Sequence, residues 1–379
     1  MSEQLLNTLK ELTELRAPSG GEAAVREYLI KDLYDYADEI TVDALGNLFI
    51  ERGPAGAPQV LVVAHMDEVG LVVRKVDPKG IVYFEKVGIM DDRVLPGREV
   101  DILTQQGPVR GAIGTKSAHL VSATEAGRVP THQEMWIDIG TESAEEAAAL
   151  GVAPGCCVSY VTEFCKLAND TIMAKAIDNR AGCAVMSEVL KRLSAERVFD
   201  QLNLCLVGTV QEEVGARGAA VVAHNLNPNL AIVVDAVPCE NPTVAENLRS
   251  IDPGRGPVIR TFDIHPSFRG CITPVEIRQF LISAATRAAI PYQVDCISGT
   301  FLDSTTLHLS KGGIPTGGIC FPRRYSHSPV EVAKFRDIEN TCRLLVAALE
   351  DYAAKPFKLG ATVKRRSAAA AAKRGATER

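Results

Sequence analysis

The chain has 379 residues, 46% of them hydrophobic and 23% charged, with a formal net charge of −6. That length suits one or two globular domains with a core large enough to need no disulfide or metal staple. The mildly acidic balance does not favour the counterion release that drives nucleic-acid binding, and no apolar run reaches the ~20 residues of a membrane helix.

The stretch up to Arg16 has no basic start followed by an apolar run, so no signal peptide is expected. Residues 4–16 and 21–37 carry apolar positions at helical spacing, with Ser19-Gly20-Gly21-Glu22 as the break between them. A strand pair is predicted over 40–51, turning at Gly46-Asn47. The run 59–64 is continuously apolar, as a strand buried on both faces of an α/β sheet would be. Short β-rich runs at 70–75, 81–86, 99–104, 108–113 and 158–163 are broken by Gly and Pro, which predicts an inserted β-barrel or sandwich. The α/β pattern resumes near 172, with helices over 179–194 and 217–224 and strands over 203–210 and 229–235. Strands near 292–297 and 314–320 and a helix over 330–352 complete it. From Lys355 the chain turns basic, with an alanine run at 368–372, and reads as a disordered or frayed helical extension. The 10 cysteines show no framework of short spacings, and several, such as Cys205, sit in apolar runs. They read as buried thiols of a reducing cytosol.

The expected architecture is therefore α/β: a mixed-sheet catalytic domain from 1–68 and 166–354, an inserted small β domain over 69–165, and a basic tail over 355–379.

Five polar groups lie just past buried elements. His65 follows Val62-Val63-Ala64, and Asp178 opens a helix after Ala176-Ile177. Glu213 and Asp235 end strands, and His327 lies in the loop Tyr325-Ser326-His327-Ser328-Pro329. Ligands of an open α/β sheet bind at the carboxyl ends of its strands, so the fold would gather these groups at one edge. Two imidazoles and three carboxylates make a nitrogen and oxygen donor set suited to zinc, cobalt or manganese. One carboxylate shared between two ions explains how five groups hold a pair. Two dications balance three carboxylates and a hydroxide, whereas three unpaired carboxylates in one crevice would repel strongly. The neighbours Glu212 and Glu213 point to different sides. One can bind metal while the other takes a proton from the attacking water. Asp67, two residues after His65, is placed to hold the other ring nitrogen of that histidine.

Four motifs carry a resemblance: His65-Met-Asp-Glu-Val-Gly, Ala-Ile-Asp178-Asn-Arg-Ala-Gly-Cys, Gln-Glu212-Glu213-Val-Gly-Ala-Arg-Gly-Ala and Arg-Arg-Tyr-Ser-His327-Ser-Pro-Val-Glu. In this order they resemble the tetrahedral aminopeptidase family of cocatalytic metallopeptidases, which includes glutamyl aminopeptidases and proteins once labelled cellulase M. Gly114-Thr-Lys-Ser-Ala-His119-Leu and Trp136-Ile-Asp-Ile-Gly140 resemble further segments, and the likeness covers roughly residues 5–352. The resemblance implies that His65 and Asp235 bind one divalent ion, Glu213 and His327 the other, and that Asp178 bridges. It implies Glu212 as general base and acid, Asp67 as the partner of His65, and a cis peptide at Asp178-Asn179. It further implies dimers through the β domain that often build a hollow tetrahedral dodecamer, which would restrict substrates to peptides; the cytoplasmic setting is expected from the cysteines and the absence of a signal peptide. His119 would either reach a neighbouring subunit's site or cap a turn. The loop Ser298-Gly-Thr-Phe-Leu-Asp303-Ser-Thr differs from the family's shorter Gly-Thr-Asp type of segment, which bears on substrate preference rather than catalysis.

Arg323 and Arg324 fit a substrate contact, a subunit contact or ordinary exposure equally. Asp303 fits the pocket wall or a turn cap. His132, His224, His265 and His308 read as surface or helix-end residues. A metal-dependent deacylase on the same fold would carry the same motifs. A glucanase works with two carboxylates and no metal, which this acid pattern does not match. A non-catalytic assembly protein would be expected to lack a ligand or Glu212, and all are present.

Overall fold

The computed structural model describes residues 3–360 apart from 123, 125–126, 196, 240–249 and 268. The expected helical extension beyond 360 lies outside the described residues.

Four parallel strands form the centre of one large mixed sheet: Asn203–Thr209, Gln59–His65, Leu230–Pro238 and Thr316–Arg324, in that order across it. Their apolar runs are continuous because both faces are covered. Within Gln59–His65, Val60, Val62 and Ala64 enter a core shared with the helices Glu3–Glu14, Ile177–Leu193 and Phe335–Ala354. Leu61 and Val63 point the other way, into a second core with the helix Arg217–Asn225. Each of the buried Val and Leu side chains contributes about 1.5–3 kcal/mol, and a charge placed at any of them would be buried without a partner and would destabilise the strand that carries His65.

Antiparallel strands flank this centre. Glu39–Val42 and Leu48–Arg52 lie on one side; Glu331–Lys334, Thr171–Ala174 and Cys165–Leu167 lie on the other. Between Gln59–His65 and the return of the chain to this sheet, six strands close a separate barrel. It runs from Gly70–Val76 to Cys157–Tyr160 and has its own core around Leu71, Phe84, Ile102 and Ile137. Among the described residues, no helix is long and apolar enough to cross a membrane.

The structure departs from the sequence reading in places. The helix expected over 330–352 begins as the strand Glu331–Lys334, and the helix proper is Phe335–Ala354. Glu331-Val332-Ala333 pairs with Thr171–Ala174 on one side and with Arg323 and Arg324 on the other, and that pairing overrides helical spacing. The second helix stops at Leu33, where a 3-10 turn, Tyr34–Tyr36, takes over. The strand Val258–Ile264 and the helix Val275–Arg287 had no counterpart in the sequence reading. The strand buries Arg260, Thr261 and Asp263, so it lacks an apolar signature.

Candidate dimetal active site

The site forms where the parallel strands end. His65 is the last residue of its strand and stands in register with Thr209, the last of the next. Asp235 lies inside Leu230–Pro238. The other groups sit on tight turns whose backbone is unusual. Ala176 (φ 53), Gln211 (φ 56), Tyr325 (φ 59) and His327 (φ 55) all adopt the left-handed conformation without being glycine. Such residues cost about 1–3 kcal/mol each and concentrate where geometry serves function. The Asp178-Asn179 peptide is cis. After Glu213, a Cβ on Gly218 would meet the carbonyl oxygen of Val210 at 2.5 Å, so this strand-to-helix turn admits only glycine.

These turns bring five donors into two groups that share one residue: His65, Asp178 and Asp235, and Asp178, Glu213 and His327. His65 Nε2 is 3.0 Å from Asp178 Oδ1 and 3.7 Å from Asp235 Oδ1. His327 Nε2 is 3.4 Å from both Asp178 Oδ2 and Glu213 Oε2. Donors bonded at about 2.1 Å to one zinc-sized ion lie roughly 3.4 Å apart, so the spacing suits a divalent cation in each group. The buried Oε1 of Glu213 has no protein partner, as a ligand oxygen waiting for a cation would. Glu212 Oε2 lies 4.0 Å from His65 Nε2, inside the same cavity.

Further residues hold this arrangement. His65 Nδ1 lies 3.4 Å from Asp67 Oδ1 and 3.2 Å from the main-chain oxygen of Asp67. The Asp67 carboxylate also accepts from Ser19 Oγ at 2.6 Å and from the N–H groups of Glu212 and Glu213 at 3.0 and 3.2 Å. Glu331, which the sequence placed on a helix, accepts the N–H of Asp178 at 2.9 Å and that of His327 at 3.0 Å. The Arg323 guanidinium is buried against Asp178 Oδ2, Ser326 and Glu331. The sequence assigned it no role. Its signal lay in the motif around His327, which holds Arg323 at one end and Glu331 at the other.

The electrostatics are those of a crowded acidic site. Burial pushes Glu213 up to about 8, and burial with nearby carboxylates pushes Glu212 well above the carboxylate range. Burial also raises Asp235. Burial opposes a charge on His327, but Glu213 and Asp178 outweigh it and lift the imidazole to about 9. For Asp178, burial is outweighed by Arg323, His327 and His65, and the carboxyl stays far below its usual range. A cation pair would meet this surplus of buried carboxylate.

A sequence profile of the M42 glutamyl aminopeptidase family matches residues 46–344. The chain belongs to the M42 peptidase family. The lysyl aminopeptidase of Pyrococcus furiosus is 30% identical over 346 residues, covering 90% of this chain and 96% of that protein. An aminopeptidase from the archaeon Desulfurococcus kamchatkensis has the same fold, with a TM-score of 0.87 and 33% identity over 95% of this chain and 99% of its own. A TET peptidase of Pyrococcus horikoshii that can assemble into a tetrahedron or a large octahedral shell matches with a TM-score of 0.80. It is 32% identical and covers 90% of this chain and 98% of its own. As a member of the family the chain is a metallo-aminopeptidase, a hydrolase of the exopeptidase class.

Other candidates in this M42 peptidase fall elsewhere. His119 is exposed in the loop after the barrel strand Gly107–Gly114 and joins neither donor group. Asp303 is buried and accepts from Thr209 Oγ1; its side chain does not cap the short helix Ser304–Leu307. His265, read as a surface residue, lines the active-site cavity. It directly follows the strand Val258–Ile264, which was not legible, so neither was its direction.

Proposed function

We infer that this M42 peptidase removes N-terminal residues from short peptides by water attack at a dimetal centre. The observation that supports it most is the position of Asp178. One carboxylate oxygen faces the His65 and Asp235 group and the other faces His327 and Glu213, with Glu212 in the same cavity.

In this reading His65 and Asp235 would hold one ion and Glu213 and His327 the second, with Asp178 contributing to both. Zinc or cobalt suits the two imidazoles and three carboxylates best, with manganese as a further candidate. When bound, the metal pair supplies a water of lowered pKa and a positive field at the scissile carbonyl. Glu212 takes the proton from the attacking water and returns it to the leaving amine. Its buried position beside other carboxylates raises its proton affinity, which favours a group that first accepts and then returns a proton. Asp67 keeps His65 in one tautomer and fixes the turn that aims Glu212.

The β-barrel is the proposed dimerisation unit, and the working enzyme is a homo-oligomer: a dimer or a tetrahedral dodecamer. The likeness to the Pyrococcus horikoshii peptidase supports an assembly of this type. A hollow shell would admit short peptides and exclude folded proteins. A cytoplasmic setting accords with 10 cysteines that all stand as free thiols.

Hydrolysis of unblocked and N-acetylated peptides, with and without chelator, tests the reading. Chelator-sensitive release of single N-terminal residues from the unblocked peptides alone is the expected result. Cleavage of the blocked set would point to a deacylase and overturn it.

A further inference from the structure

The active-site cavity has walls that take no part in the chemistry above. Apart from the metal ligands, Glu212 and Arg323, its described lining includes Ile89, Ala236, Pro238, His265, Phe301 and Leu302. None of these carries a carboxylate, an ammonium or a guanidinium group. Arg323 also lines the cavity, but its charge is already met by Asp178 and Glu331. Ile89 is 65% exposed at the cavity, an apolar side chain with too little protein to cover it.

Phe301 and Leu302 sit between Thr300 and Asp303, in the loop where the sequence departs from the Gly-Thr-Asp pattern. This loop is held at several points. The N–H of Gly299 donates to Ile264 O at 2.8 Å. The buried Arg260 donates to Thr300 Oγ1 at 3.1 Å, and Asp303 accepts from Thr209. Leu302 belongs to the core beneath the sheet, and Phe301 packs against it. The Phe301 ring meets His265 edge-on, with centroids 5.7 Å apart. His265 is in turn tied to Ser267 Oγ at 2.9 Å. The wall is thus set before any substrate arrives.

We propose that this wall forms the pocket for the N-terminal side chain of the substrate, and that it selects apolar side chains of leucine, methionine or phenylalanine size over glutamate and lysine. This rests on the aminopeptidase reading and names the substrate class within it. An apolar side chain gains from covering Ile89 and the half-buried Phe301. A charged one gives up its hydration for walls that, among the described residues, offer no counter-charge beyond those already engaged at the metal site.

Two measurements on the full-length, metal-loaded enzyme test this. In the first, kcat/KM is compared across leucyl, phenylalanyl, methionyl, alanyl, glutamyl and lysyl 4-nitroanilides. The three large apolar substrates should exceed the glutamyl and lysyl ones by about tenfold or more, the range one apolar contact can discriminate. Phe301→Ala should lower kcat/KM for leucyl and phenylalanyl substrates about tenfold more than for the alanyl one. A glutamyl or lysyl optimum, or an equal loss on all substrates in the variant, overturns the proposal. If no substrate is cleaved, the aminopeptidase reading itself falls. The pocket is then judged by the second measurement, calorimetric binding of free L-leucine, L-glutamate and L-lysine. Leucine binding at least about tenfold tighter upholds the apolar pocket, and any other order overturns it.

Discussion

The carboxylate of Asp67 accepts the main-chain N–H of Glu212 at 3.0 Å. One side chain thereby joins the end of the His65 strand to the turn that carries both the proposed base and a proposed metal ligand. It also faces the ring nitrogen of His65 that points away from the metal donors. Asp67→Asn should therefore lower metal affinity and kcat together, each by about 10–100-fold, the usual effect of losing a partner behind a ligand. Metal titration followed by dialysis, set beside steady-state kinetics, reads both. A variant with native metal affinity and native kcat would show that Asp67 serves only the fold.

Glu212→Gln keeps the size of the side chain and removes its proton chemistry. Metal content by mass spectrometry should stay native while kcat falls by about 10²–10⁴-fold. Native turnover in this variant would remove Glu212 from the mechanism.

Metal-free protein should lose stability as the pH rises. Glu213 titrates near 4.5 when unfolded but near 8 in the fold, and burial is the first cause. Between those values the folded chain holds a proton that the unfolded chain has released. The stabilisation is complete below about 4.5 and is lost as the pH climbs through about 8. His327, raised to about 9 from an ordinary 6.5, acts in the same direction. Bound cations replace those protons and add their own binding energy, so metal-loaded protein should show a flatter profile and a higher transition temperature. Denaturant titrations of both forms between about pH 6 and 9 check this. Parallel slopes would mean that the carboxylates do not face the metals.

A second buried charge cluster ties the barrel to the sheet. Lys175 Nζ lies 2.7 Å from Glu68 Oε2, both fully enclosed, and Arg180 adds a contact at 3.4 Å. Glu68 also accepts from Ser159 of the barrel at 3.0 Å and from the N–H of Ala17 at 2.9 Å. Glu68→Gln leaves two buried cations undercompensated and should destabilise the fold by about 3–5 kcal/mol. Burial would raise the Glu68 carboxyl, but Lys175 and Arg180 outweigh it and hold it below 4.5. Its contribution is therefore present above pH 4.5 and is lost as the pH falls through the lower folded value. Acid unfolding of the wild type should be steeper than that of Glu68→Gln. Equal acid profiles would contradict this.

Five candidate metal donors could be picked out from the sequence alone, each by its place along the chain. His65 and Asp235 follow runs that only a doubly covered strand explains, and Glu213 and Asp178 border on similar runs. It also marked the break in texture where the barrel is inserted, because short alternating runs and buried parallel strands differ in pattern. What it left open depends on contacts between distant segments. Glu331 carries helix-like spacing, and only pairing with Thr171–Ala174 makes it a strand residue that receives the N–H groups of Asp178 and His327. Arg323 looked like any surface arginine until the fold buried it against Asp178. His265 and Phe301 come from segments 36 positions apart that share no periodic signal, and only the tertiary structure sets them edge to face in one wall. Local propensity and patterning act within a dozen residues or so. The spacing between metal donors and the shape of a substrate pocket arise from strand register and loop packing across the whole chain, and these exist only once the chain has folded.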